Sequence, residues 1–219
     1  MKSFLREPIN SLTHLIAAIV ALPASLYLIH LAVVNANAID IASYTVYAVS
    51  LSLVFITSGV YHGVIASEKV IRILKRIDHL MVFVLIAATY TPTCLNALDP
   101  KTRNIMLVTV WVATLIGIII KTYFIDMPSS LGASIYVVLG CISLFTIFQF
   151  KANLAPRAFI FLILGGVSYI VGAVIYAIDY PKRGIYGFKA HEIFHVFVIM
   201  GSLFHYLMVY SFIKFRLSN

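Results

Sequence analysis

Two histidines four residues apart, His191 and His195, head the last long apolar stretch of the chain, and a third, His62, lies near the end of the second. Spacing of i, i+4 puts two imidazoles on one helix face, close enough to share a metal ion. A third neutral imidazole from a neighbouring helix makes a three-histidine set. Such a set leaves zinc an open position for water, as in catalytic rather than closed structural sites. Asp78, in the first turn of the third stretch, could accept a proton from that water or hold it in place. Ser58, one turn before His62 on the same face, could hydrogen-bond behind the ligands. The spacing also has a plainer reading, in which two membrane histidines simply hydrogen-bond across helices.

The other histidines read differently. His30 and His205 suit interfacial or packing positions, and His79 beside Asp78 suits a structural role. His14 is a candidate hydrogen-bond partner near the site, not a ligand. His191-Glu192-Ile193-Phe194-His195 also spells H-E-x-x-H, the zinc metalloprotease signature with glutamate as general base. One five-residue match is weak ground for a protease, because Glu192 at the head of a helix also favours the helix N-terminus.

The elements that must position these groups follow from composition. Of the 219 residues 62% are hydrophobic and 11% charged, against about 25% charged in a soluble domain. The apolar residues fall in blocks, and about 20 apolar residues suffice to cross a bilayer as a helix. Seven blocks are legible, from Ser11 to Val34, Ile41 to Ala66, Ile77 to Leu98, Asn104 to Phe124, Ser130 to Phe150, Pro156 to Asp179 and Ala190 to Lys214. Turn residues separate them: Asn35-Ala36-Asn37, Asp99-Pro100, Met127-Pro128, Ala155-Pro156 and Tyr180-Pro181. None alternates with period two, so a β-barrel is excluded. The expected fold is an all-α integral membrane protein, a seven-transmembrane helix bundle, in one domain over residues 1–219.

An N-terminus in the cytoplasm and a C-terminus outside place ten of the sixteen Lys and Arg residues on inner segments. These are Lys2, Arg6, Lys69, Arg72, Lys75, Arg76, Lys121, Lys182, Arg183 and Lys189. The outer segments keep Lys101, Arg103, Lys151, Arg157, Lys214 and Arg216, so the positive-inside bias favours this orientation. In either orientation, the count of spans brings His62, Asp78, His191, His195, Glu7, Asn10 and His14 to one layer at the same end. Ionisable groups inside a span mark functional sites by default.

The net charge of +8 does not imply nucleic acid. Its cations sit between or beside apolar blocks, as loop and head-group anchors do. Cys94 and Cys141 form no motif and read as small buried side chains, not as a disulfide. Lys2 and Arg6 ahead of an apolar run resemble a signal peptide. The run from Leu12 to Val34 exceeds the roughly 7–15 residues of a signal core, so it reads as a retained first span. Gly165-Gly166 and Gly172 permit close helix packing, within the bundle or against a sister chain, and leave the oligomeric state open.

Taken in order, five stretches resemble the hemolysin-III branch of the progestin and adipoQ receptor family, which includes the adiponectin receptors. They are Glu7-Pro8-Ile9-Asn10 with Thr13-His14; Ser58-Gly59-Val60-Tyr61-His62; Leu74-Lys75-Arg76-Ile77-Asp78-His79; Ala88-Thr89-Tyr90-Thr91-Pro92; and His191 through His195. The resemblance covers essentially the whole chain, and the short N-terminus is similar to the bacterial branch. It implies a seven-helix fold with the N-terminus inside and a zinc ion bound by His62, His191 and His195. The family's aspartate falls on Asp78 and its serine on Ser58. Glu192 stands where the family usually has a small residue, which leaves Asp78 and Glu192 both open as general base. The relatives are also similar to alkaline ceramidases, so the implied reaction is zinc-assisted hydrolysis of a lipid amide or ester, with membrane lipids as substrate or ligand and a role in membrane homeostasis. The alternatives are a non-enzymatic membrane sensor or homeostasis factor with structural zinc, and a cytolysin (hemolysin). The cytolysin has little support, because no span carries a polar stripe that would line a pore.

Overall fold

The computed structural model describes residues 4–182, 184 and 188–217, with side chains through 214. The expected cytoplasmic cations Lys2 and Arg183 lie outside the described residues, as does the side chain of Arg216. The elements are α1 (Pro8–Asn35), α2 (Ala38–Gly63), α3 (Glu68–Ala97), α4 (Pro100–Tyr123), α5 (Ser129–Cys141), a 3-10 turn (Ile142–Thr146), α6 (Ile147–Asn153), α7 (Pro156–Ile178) and α8 (Ala190–Leu217). Among the described residues there is no β-strand.

Turn chemistry sets the helix starts. Asn37 accepts the N–H groups of Ile39 and Asp40 at the head of α2, and Asp99 accepts those of Lys101 and Thr102 at the head of α4. Pro8, Pro100 and Pro156 occupy first-turn positions, where their missing N–H has no intrahelical partner to lose.

Among the described residues, six helices are long and apolar enough to cross a membrane: Pro8–Asn35, Ala38–Gly63, Pro100–Tyr123, Ser129–Asn153, Pro156–Ile178 and Ala190–Lys214. The remaining expected block belongs to α3, which differs from expectation at its start. The helix begins at Glu68 rather than Ile77, so the charged stretch with Lys69, Arg72, Lys75 and Arg76 is helical and not a loop. Glu, Lys and Arg are good helix formers, and an apolar-run boundary misses turns that project beyond the apolar zone. Conversely, α2 stops at Gly63 and leaves Val64, Ile65 and Ala66 outside any helix.

The fifth block is not one smooth helix. The Tyr90 hydroxyl donates to the Gly140 carbonyl at 2.6 Å and accepts the Ser143 N–H at 2.7 Å. A foreign hydroxyl in the backbone ladder is a recognised cause of a helix break, and here the chain tightens to 3-10 geometry over Ile142–Thr146.

Neighbouring helices pack in chain order from α1 to α5, then α7 and α8, and α8 returns to α1 to close a ring. At the α1–α2 contact Gly59 and Gly63 form a G-x-x-x-G pair. A Cβ on Gly59 would stand 2.7 Å from Leu15, and one on Gly63 would stand 2.6 Å from the Ser11 hydroxyl. That close approach lets Ser11 donate to the Gly59 carbonyl at 2.9 Å. Large apolar side chains such as Ile16, Ile19, Val112, Leu115 and Val167 face outward, as lipid-facing positions do. Cys94 and Cys141 are free thiols.

Candidate metal centre

Three elements meet at one end of the ring. The segment before α1 docks on the end of α2 through its backbone, with the Arg6 N–H on the Gly63 carbonyl at 3.2 Å and the Glu7 N–H on the His62 carbonyl at 2.9 Å. This brings the Glu7 carboxylate within 2.6 Å of His62 Nδ1. Arg6 closes over the junction, its Nε 3.1 Å from Glu7 and its guanidinium carbon 4.4 Å from the centre of the Tyr61 ring.

His62, His191 and His195 converge. One ring nitrogen from each lies within 4.8 Å of the others. Ring centroids are 5.0 Å apart for His62 and His191, 4.9 Å for His62 and His195, and 4.7 Å for His191 and His195, each pair edge to face. His191 Nε2 and His195 Nε2 stand 3.0 Å apart. Two nitrogens bound to zinc in a tetrahedron at about 2.0–2.1 Å lie ~3.3 Å from each other, so the pair has nearly the spacing a shared ion requires.

His62 supplies the test of fit. Its Nδ1 is engaged by Glu7, which leaves the proton there and the lone pair on Nε2. That Nε2 is buried and has no hydrogen-bond partner. A buried imidazole nitrogen without a partner is costly in a protein interior, and a carboxylate on the far nitrogen is the arrangement that orients and strengthens a metal-ligating histidine. The residues therefore fit a metal ion. His62 and His195 are nearly inaccessible, and His191 is partly exposed.

Asp78 is buried near the Ser58 side chain, and it lies within electrostatic reach of His62. Glu192 is occupied elsewhere. One oxygen accepts the Lys189 N–H at 2.9 Å, as in a capping box, and the other accepts Asn10 Nδ2 at 3.2 Å. The same Asn10 amide reaches Glu7 at 3.2 Å, so Asn10 ties the head of α8 to the carboxylate behind His62.

His14 shares the layer, but not as a hydrogen-bond partner. Its ring stacks on His195 with centroids 3.7 Å apart and planes 10° from parallel, and Phe55 meets it edge-on. Neither of its ring nitrogens has a well-formed hydrogen bond. His30 is exposed on α1, and His205 is packed between α7 and α8 against Gly165 and Tyr169.

Glu7 lies outside the helices. Its carboxyl is held down at about 2, first by the hydrogen bond to His62 and further by Asn10 and Arg6, against an opposing effect of burial. The carboxylate is thus charged at neutral pH. Glu7 was visible in the sequence as a group at the right level, but its pairing with His62 depends on the docked backbone of residues 6 and 7.

The family model described as haemolysin-III related matches residues 2–206 of the chain. The hemolysin-3 homolog of Bacillus subtilis (strain 168) is 35% identical over 196 residues, covering 90% of this chain and 89% of that one. Hemolysin-3 of Bacillus cereus is 31% identical over 210 residues, or 95% and 93% of the two chains. The progestin and adipoQ receptor-like protein 1 of Caenorhabditis elegans is 24% identical over 159 residues, which span 64% of this chain and 36% of that relative.

Proposed function

The chain belongs to the haemolysin-III related family of multi-pass plasma-membrane proteins, and from that membership and its three converging imidazoles we propose that it is a zinc-dependent hydrolase of lipid amide or ester bonds. The observation that carries the reading is the convergence of His62, whose Nε2 is buried and partnerless, with the paired nitrogens of His191 and His195.

In this reading His62, His191 and His195 hold the ion, and Glu7 keeps the His62 proton on Nδ1 so that Nε2 faces inward. Zinc bound by three neutral imidazoles supplies Lewis acidity to a carbonyl and acidifies water. Asp78, near the Ser58 side chain, takes up the proton at a carboxylate oxygen. Glu192 is the weaker candidate for that role, since both of its oxygens are already engaged. The same engagement weakens the metalloprotease reading of the H-E-x-x-H run.

We extend the reading to topology. The N-terminus faces the cytoplasm, the chain crosses seven times with α3 as the third span, and residues 1–219 act as one domain. Support comes from α3 packing between α2 and α4 and from the cations at its start, with Lys75 and Arg72 turned toward Asp126 in the α4–α5 loop at the same end. Membrane lipids are the proposed substrates.

A second reading has one observation in its favour. The cluster joins the N-terminal segment, α2 and α8, and two of its histidines are buried, so zinc could serve mainly as a strut in a non-enzymatic membrane sensor or homeostasis factor. The decisive experiment incubates purified, zinc-loaded protein with a panel of ceramides and lipid esters. Release of fatty acid that is lost in Asp78→Asn while zinc is retained supports the hydrolase. No acyl-bond cleavage across the panel, with a large fall in thermal stability on chelation, supports the strut.

A further inference from the structure

A separate cavity of about 80 Å³ lies where the end of α4, the start of α3 and the start of α5 meet. Its lining includes Lys75, His79, Lys121, Ser129, Tyr136 and Tyr176. Lys121, in the last turn of α4, is only 4% exposed, yet its ammonium makes no hydrogen bond or ion pair with any described residue. The ammonium thus faces the cavity from an otherwise enclosed side chain, with its hydrogen-bonding capacity unused. Asp126, whose charge reaches Lys121, is held directly by Lys75 at 2.8 Å and by Arg72 at 3.7 Å.

The other groups around the cavity point the same way. The opposite wall is the N-terminus of α5, where Pro128 supplies no side-chain cap and the first-turn N–H groups and the Ser129 hydroxyl are available. A Cβ on Gly132 would stand 3.1 Å from Lys121 Nζ, so the glycine keeps space open beside the ammonium. His79 Nδ1 is buried without a partner, while the Tyr136 hydroxyl is spent on the His79 carbonyl at 3.1 Å. Two ammonium groups and a helix N-terminus thus surround a space with no carboxylate among its lining residues.

The geometry points to an oxyanion site of the phosphate class, filled by the phosphate of an anionic lipid head group or by free phosphate. Lys121 is its central ligand, with Ser129 and the α5 N-terminus opposite. The space suits a phosphate group and not an acyl chain. Tyr176 connects it to the histidine cluster, its ring lining the cavity and meeting His191 edge-on at 5.2 Å between centroids. The site does not depend on the metal.

The test measures melting temperature and lipid affinity of the full-length protein in nanodiscs, before and after chelation of metal. The probes are inorganic phosphate added to phosphatidylcholine discs, and discs of phosphatidylcholine containing phosphatidic acid. Wild type should be stabilised by at least one probe, chelated or not. Stabilisation by phosphate identifies free phosphate as the source, and stabilisation by phosphatidic acid alone identifies the lipid head group. Lys121→Met should weaken binding by about tenfold or more, the scale of one hydrogen bond to a charged group, while Lys121→Arg keeps part of the affinity. Without either probe Lys121→Met should melt no lower than wild type, since it removes no hydrogen bond or ion pair among the described residues. If Lys121→Met does not fold, Gly132→Leu, which fills the space and keeps the charge, takes its place. No response of wild type to either probe, or an equal response in the variants, overturns the proposal.

Discussion

The Glu7 carboxylate lies 2.6 Å from Nδ1 of His62, across 55 residues of sequence, while Nε2 of the same ring is left buried and free. The relationship makes Glu7 the residue that chooses the His62 tautomer. Glu7→Gln keeps the shape and removes the charge, so it should weaken zinc affinity by about 10–100-fold, as loss of such supporting partners does elsewhere. Competition with a chromophoric chelator reads this directly. Unchanged affinity would separate Glu7 from the metal centre.

Asp78→Asn makes a different prediction. The amide keeps a hydrogen-bonding group beside Ser58 but cannot take up a proton, so zinc content should stay at the wild-type level. Lipid hydrolysis should fall by about 10²–10⁴, the usual worth of a positioned general base. Glu192→Gln, whose hydrogen bonds among the described residues go to the Lys189 N–H and Asn10, should retain most activity. A reversed ranking would transfer the role to Glu192.

The α7–α8 contact offers a stability prediction that is free of the metal. A Cβ on Gly165 would collide with the His205 ring, whereas one on Gly166 meets nothing within 4 Å. Gly165→Ala should destabilise by about 1–3 kcal/mol through overpacking, and Gly166→Ala should be nearly neutral. His205→Ala in the Gly165→Ala background should restore part of the loss. Thermal melts in detergent decide it, and equal melting of the two alanine variants would contradict the packing described. Gly165 is thereby accounted for within the chain, whereas Gly166 faces open space.

Asp126, in the loop after α4, is held below its ordinary 3.8 by the hydrogen bond from Lys75 and the charges of Lys75, Arg72 and Arg76. A carboxyl lowered in the folded state adds stability that is present above pH 3.8 and fades as pH falls through its lower folded value. Wild type should therefore melt above Asp126→Asn at neutral pH in low salt. The difference should shrink at pH 3 and also in high salt, because the group is exposed and screened. A gap that widens on acidification would refute the link.

Much of this arrangement was legible in the sequence for simple reasons. Apolar run lengths expose helices that cross lipid, and i, i+4 spacing exposes His191 and His195 as a pair. What stayed hidden depends on contacts between distant residues. The role of Glu7 needs the backbone of residues 6 and 7 to pair with the end of α2. The break at Ile142–Thr146 needs the Tyr90 hydroxyl from another helix. The helical start of α3 was masked because charged residues that form good helices look like loop to an apolar count. The layer that holds His14 is legible from the span count, but its stacking on His195 has no signature in spacing.

The central claim is most directly tested by metal analysis of the purified protein beside His62→Ala, His191→Ala and His195→Ala. The account predicts about one zinc per chain in wild type, as a three-histidine site requires, and its loss in each variant. Zinc absent from wild type after loading, or retained in full by any of the three variants, would contradict it.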